Sequence, residues 1–92
     1  MTTLTPAQIE SALRTVPAWA KHGDTIVRTF VFPDYAAGVR FVDRVAALAD
    51  EAWHHPDINI RYKAVTIVLT THDAGGLTEL DFALAARIDT IG

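Results

Sequence analysis

The chain has 92 residues, half of them apolar, with 8 Lys and Arg against 11 Asp and Glu, a net charge of −3 and no cysteine. That length makes one domain, residues 1–92, and a domain so small buries only about 60–65% of the surface of its unfolded chain. The mild acidity without any run of like charge argues against direct nucleic-acid binding, and the lack of thiols removes disulfides, thiolate chemistry and most structural zinc sites.

A thiol-free chain fits a reducing compartment, and the cytoplasm is the expected location. The start, Met1-Thr2-Thr3-Leu4-Thr5-Pro6, has no basic stretch followed by an apolar one, and no run of about 18 apolar residues occurs. Neither export nor membrane insertion is expected.

Thr5-Pro6-Ala7-Gln8 offers a helix start. Thr5 can accept from free amides, Pro6 suits the first turn, and Gln8 can close a capping box. Ile9 and Leu13 share a face, and Pro17 ends the helix. The segments around Trp19 and from Thr25 to Phe32 read as two strands joined at His22-Gly23-Asp24. The second alternates Ile26, Arg28 and Phe30 with Val27, Thr29 and Val31, which reads as a strand buried on both faces.

Asp34 then caps the best-marked helix, in which Tyr35, Val39, Val42, Val45, Ala46, Ala49 and Ala52 recur at helical spacing. After His54-His55-Pro56, the segments Asp57–Tyr62 and Val65–Thr71 alternate as strands, joined at Lys63-Ala64 into a hairpin. Asp73-Ala74-Gly75-Gly76 is a loop. Thr78 caps a last helix, Glu79 to Ile91, with Leu80, Leu84 and Ile88 as its stripe. The fold class is therefore α+β: a four-stranded antiparallel sheet with three helices on one face, in the order α-β-β-α-β-β-α.

Three of the four histidines flank the second hairpin, His54 and His55 entering it and His72 leaving it. His72 is in phase with Thr66, Val68 and Thr70, opposite Val65, Ile67 and Leu69, so it points away from the main core. Imidazole gives and takes protons near neutral pH, with an unperturbed pKa of about 6.5. Three together suggest acid–base work.

The same residues admit plainer readings. His54 and His55 can be simple loop residues, His72 a hairpin-end hydrogen bond, and His22 a solvated turn residue. Three imidazoles can also hold catalytic zinc, but neighbours in extended chain point oppositely, so His54 and His55 converge on one ion only in a sharply bent loop. Asp50, Glu51, Asp73 and Asp81 are each near enough in sequence to orient an imidazole. Asp81, three residues after Thr78, also holds the capping-box position, and Asp50 and Glu51 suit a solvated helix end.

The stretch Asp50-Glu51-Ala52-Trp53-His54-His55-Pro56-Asp57, then Tyr62, then Leu69-Thr70-Thr71-His72-Asp73-Ala74-Gly75-Gly76-Leu77-Thr78-Glu79-Leu80-Asp81 resembles the pterin-4a-carbinolamine dehydratases. The likeness continues through Phe82–Ile88 and reaches back to Trp19. It implies dehydration of a 4a-hydroxytetrahydropterin to the quinonoid dihydropterin, recycling the cofactor of aromatic amino-acid hydroxylases, without metal or other cofactor. It further implies a catalytic set of His54, His55, His72 and Asp81. His54 and His72 would move protons, and His55 would position the pterin. Trp53, Thr70, Thr71 and Asp73 would line the site with the histidines, and Asp50 would be an orienting carboxylate.

The likeness also points to a homodimer or homotetramer. Two departures stand out: Ile58 replaces an aromatic found in many members, and Trp53 replaces a usually polar neighbour of the histidines. Two rival readings are a non-catalytic pterin-binding or protein-interaction module of the same fold, and a metal-dependent hydrolase.

Overall fold

The computed structural model describes residues 2–92. In chain order they form α1 (Pro6–Thr15), β1 (Ala20–His22), β2 (Thr25–Val31), α2 (Tyr35–Ala52), β3 (Asp57–Arg61), β4 (Ala64–Leu69), a short 3-10 turn at His72–Ala74, and α3 (Glu79–Asp89). Two antiparallel hairpins, β1–β2 and β3–β4, join through β2 and β4 into one sheet of order β1-β2-β4-β3. Three helices cover one face of it, the expected α+β arrangement. No helix among the described residues is long and apolar enough to cross a membrane.

Local chemistry sets the helix starts. Thr5 Oγ1 accepts from the Gln8 amide at 3.2 Å, while Gln8 Oε1 accepts from the Thr5 amide at 2.8 Å, which closes the capping box of α1. Asp34 Oδ1 accepts from the Ala37 amide at 2.8 Å and opens α2. The β1–β2 turn falls at Gly23-Asp24, where Gly23 takes φ +59.

Tertiary packing decides what local pattern does not. The buried face of α2 is Gly38, Phe41, Val45 and Ala49, whereas Tyr35 and Val39 of the expected stripe are exposed, as is Ala46. The reason is the close seat of the helix on β4: a Cβ added at Gly38 would lie 3.3 Å from Val65 Cγ2. That approach brings Phe41 rather than Val39 over the sheet, where it packs on Phe30 and Phe32 at ring separations of 4.6 and 4.9 Å. Truncating a buried phenylalanine of this kind costs about 3–5 kcal/mol.

The second strand is two-faced rather than buried on both sides. Ile26 and Phe30 enter the core, but Val31 is 76% exposed because helices cover only one side of the sheet. Trp19 precedes β1 instead of lying in it; its ring is buried, and Nε1 donates to Asp89 Oδ1 at 2.8 Å. Arg28 reaches the same oxygen at 2.6 Å, with its guanidinium 4.1 Å from the centre of the Phe30 ring. These contacts fix the end of α3, which stops at Asp89 rather than Ile91. Of its expected stripe, Leu84 and Ile88 are buried and Leu80 only partly so.

The β3–β4 turn is Tyr62-Lys63, one residue earlier than expected, because Arg61 pairs with Ala64 and Tyr62 leaves the strand at φ +51. Val65, Ile67 and Leu69 are fully buried. The strand ends at Leu69 rather than Thr71; beyond it a single bridge joins Thr71 to Gly76, and His72 opens a 3-10 turn that runs into the expected loop at Asp73 and Ala74.

Candidate active site

The end of α2 sets the two adjacent histidines against each other in direction. Trp53 caps the helix in the left-handed conformation, φ 51 and ψ 44, with its amide on the carbonyls of Ala49 and Asp50. The His54 amide follows onto Ala49 O at 3.0 Å. Pro56 then favours extended backbone at His55. The chain reverses so that His54 turns inward and is buried, while the His55 side chain stays about half exposed.

His54 Nε2 lies 2.6 Å from Asp81 Oδ1, and the Asp81 side chain has no exposure at all. Asp81 Oδ2 accepts from the Thr71 hydroxyl and from the Thr78 amide, both at 2.9 Å. The Thr71 and Thr78 hydroxyls are 2.8 Å apart, and Thr78 Oγ1 receives the Leu80 amide at 3.3 Å. The direction of each bond follows from what each group can donate. A carboxylate only accepts, so Thr71 gives its single hydrogen to Asp81, and Thr78 gives its own to Thr71.

By the same logic Nε2 of His54 carries a hydrogen towards Asp81, which leaves Nδ1 as the basic nitrogen of the neutral ring. Nδ1 has no protein partner. Among the described residues no buried side-chain nitrogen or oxygen lacks one, so Nδ1 keeps some exposed surface, and the residue itself lines a cavity.

That cavity, about 290 Å³, gathers Trp53, His54, His55, Thr70, Thr71, His72 and Asp73. His55 Nε2 meets Asp50 Oδ1 at 2.9 Å across the surface, and Glu51 turns to Arg87 at 3.0 Å. Thr70 Oγ1 donates to Asp24 O at 2.6 Å, tying the end of β4 to the first turn, so its hydroxyl is already engaged. His72 and Asp73 are exposed on the rim, and His22 is exposed in its turn away from this cleft. His54 and His55 take different carboxylates. Among the described residues no group of three His, Asp or Glu side chains is arranged to share a metal ion.

The sequence named every residue lining the cleft, but it did not single out the Thr78 hydroxyl as part of the buried chain behind His54. The signal was there in the Thr78-x-x-Asp81 spacing, which marks Thr78 itself as a cap, while Asp81 also falls in the catalytic set implied by the resemblance. The capping box is real: Thr78 and Asp81 form it at the start of α3, and the same carboxylate serves His54 with its other oxygen.

A small α+β sheet carries a histidine on a buried carboxylate, beside a polar cleft with two further histidines, and imidazoles so placed are chemically able to transfer protons. The comparisons give it a family. Residues 2–91 match the family described as pterin 4 alpha carbinolamine dehydratase, and the chain belongs to it. A protein of Thermomicrobium roseum named "Putative pterin-4-alpha-carbinolamine dehydratase" is 52% identical over 88 residues, covering 96% of this chain and 95% of its own.

Among solved structures, the transcriptional coactivator/pterin dehydratase from Brucella melitensis superposes with a TM-score of 0.93 at 33% identity, covering 98% of both chains. A pterin dehydratase-like protein described as a RuBisCO assembly factor in the alpha-carboxysome gives 0.68 at 34% identity, over 80% of this chain and 88% of its own. Dehydration of a pterin carbinolamine is the activity this membership supports.

Proposed function

We propose that the chain dehydrates a 4a-hydroxytetrahydropterin to the quinonoid dihydropterin by histidine acid–base catalysis, recycling a tetrahydropterin cofactor. The observation that carries the reading is the His54–Asp81 pair, which commits Nε2 to a buried acceptor and leaves Nδ1 as the ring nitrogen not engaged by it, on a residue that lines the cleft.

The reaction needs two proton movements. The C4a oxygen must gain a proton to leave as water with the C–O electron pair, and N5 must lose its proton so that its electrons form the new double bond to C4a. His54 and His72 divide these transfers, while His55, steadied by Asp50, holds the pterin. Asp81 acts through His54 by fixing its tautomer and ring position. Trp53, Thr70, Thr71 and Asp73 border the bound substrate. No step requires a metal or a second cofactor. The protein works as a homodimer or homotetramer in the cytoplasm and binds no nucleic acid directly.

The deciding measurement is turnover of freshly generated 4a-hydroxytetrahydropterin against its spontaneous dehydration. Acceleration proportional to protein concentration is expected, and a rate no higher than that with heat-denatured protein overturns the reading. A second reading, a non-catalytic interaction module, draws on the likeness to the RuBisCO assembly factor. It requires that the native protein leave the spontaneous rate unchanged.

A further inference from the structure

Resting on the pterin reading above, we propose that Trp53 is the platform on which the planar half of the substrate ring lies, and that it sets the preference of the site for flat heterocycles. Among the described residues Trp53 is the most exposed large hydrophobic side chain, at 82%. It also sits at φ 51, in a left-handed conformation that side chains with a Cβ avoid and that helix ends normally give to glycine or asparagine. Neither burial nor backbone preference explains an indole there. Its one aromatic neighbour is His55, edge to face at 5.3 Å between centroids and 82° between planes.

The make-up of the cleft gives the position its use. The other side chains lining it are histidines, threonines and an aspartate, so the indole is the only large apolar surface offered to a bound ring. A flat heterocycle presents a broad face that hydrogen-bonding groups at its edges leave uncovered, and an aromatic side chain matches that face. The helix-ending bonds from the Trp53 amide to Ala49 and Asp50 hold the backbone in place, one residue from His54. The platform therefore keeps a fixed relation to the proton-transfer group. The second tryptophan, Trp19, is 4% exposed with its N–H engaged by Asp89, and has no such freedom.

The test is calorimetric binding of 7,8-dihydrobiopterin, a stable pterin that lacks the 4a-hydroxyl, to the native chain, Trp53→Phe and Trp53→Gly, with a thermal melt and light scattering for each. Trp53→Gly is expected to weaken binding about tenfold, in the range of aromatic stacking. It should also raise Tm, since glycine relieves the left-handed cap. Trp53→Phe keeps an aromatic face and should stay within about threefold of the native affinity. Higher stability together with weaker binding is a pairing that a purely structural residue does not produce. If the native chain binds and Trp53→Gly binds equally well, the platform is overturned while the pterin reading stands. A change of subunit count in Trp53→Gly overturns it too, by making Trp53 a subunit contact. Absence of any binding to the native chain removes both readings together.

Discussion

His54 Nε2 and Asp81 Oδ1 lie 2.6 Å apart although 27 positions separate them in the chain, and Asp81 is wholly buried. Asparagine at position 81 tests what that pairing does. The Thr71 hydroxyl and Thr78 amide both need an acceptor, so the asparagine oxygen must face them and its NH2 group must face His54. Nε2 then accepts instead of donating, and the hydrogen moves to Nδ1, the nitrogen required to be basic. For Asp81→Asn we expect kcat to fall by about 10²–10⁴-fold with KM little changed, the size seen where a catalytic histidine is held in the wrong tautomer. Asp81→Ala should instead unfold the chain more easily, by about 3–5 kcal/mol in urea titration, because three buried donors lose their acceptor. Native kcat in a folded Asp81→Asn protein would remove Asp81 from the mechanism.

Thr71 supports Asp81 from the opposite side, and Thr71→Val deletes that hydrogen bond with little change of shape. Asp81 keeps the Thr78 amide, while the Thr78 hydroxyl loses its acceptor. A stability loss of about 1–2 kcal/mol follows, with a several-fold drop in kcat. Thr71→Ser restores the hydroxyl and should recover most of the kcat. Equal kcat for the Val and Ser variants would mean that the threonine pair serves folding alone.

The three histidines of the cleft should separate kinetically. Loss of a positioned acid or base lowers kcat on the order of 10²–10⁴-fold, so His54→Ala and His72→Ala each reduce kcat on that scale. His55 is half exposed and is held by surface contacts with Asp50 and the Trp53 ring, so His55→Ala should raise KM more than it lowers kcat. The spontaneous reaction must be subtracted throughout, and circular dichroism excludes unfolding as the cause. Three folded variants with native constants would show that the cluster is not the active site.

What the sequence made legible was local. Thr5 with Gln8, Asp34, and Thr78 with Asp81 announce helix starts because each cap is satisfied within three residues. The alternation of Val65, Ile67 and Leu69 announces a buried strand face because the period is two whatever packs above it. The face of α2 was legible only in part: Val45 and Ala49 of the expected stripe are buried, but Gly38 and Phe41 turn inward because β4 approaches closely there, and a lone glycine in a helical pattern does not say which element approaches it. For the same reason Val31 reads as buried in a strand and lies in the open, since which side of a sheet receives helices is a tertiary matter. The cleft sits between these cases. Its residues stand in two short stretches and can be listed from sequence, but several carboxylates were equally near. Only the fold selects Asp81 for His54 and leaves Asp50 for His55.

Proton transfer by imidazole suffices to release the hydroxyl as water, so activity should survive dialysis against a strong chelator. Elemental analysis checks the same point: stoichiometric zinc or iron in active protein, with activity lost on its removal, would contradict it.

The final prediction concerns assembly, and it follows from the open edge of β3, which pairs only with β4. An exposed edge invites a partner strand, and an isologous dimer places one strand antiparallel to its own copy. If β3 pairs with its copy about Asn59, Asp57 of one protomer faces Arg61 of the other, twice over by symmetry, and Ile58 faces Ile60. Opposite charges in directly facing positions contribute roughly 0.2–1 kcal/mol per pair, and like charges oppose pairing. The expectation is therefore a dimer or tetramer by light scattering at micromolar concentration, weakened by Arg61→Glu and by Asp57→Lys. The double variant Asp57→Lys/Arg61→Glu exchanges the signs and should recover native assembly, because the facing charges are again opposite. A native protein that runs at 10.0 kDa would end the oligomer reading, and an oligomer indifferent to all three variants would move its interface away from β3.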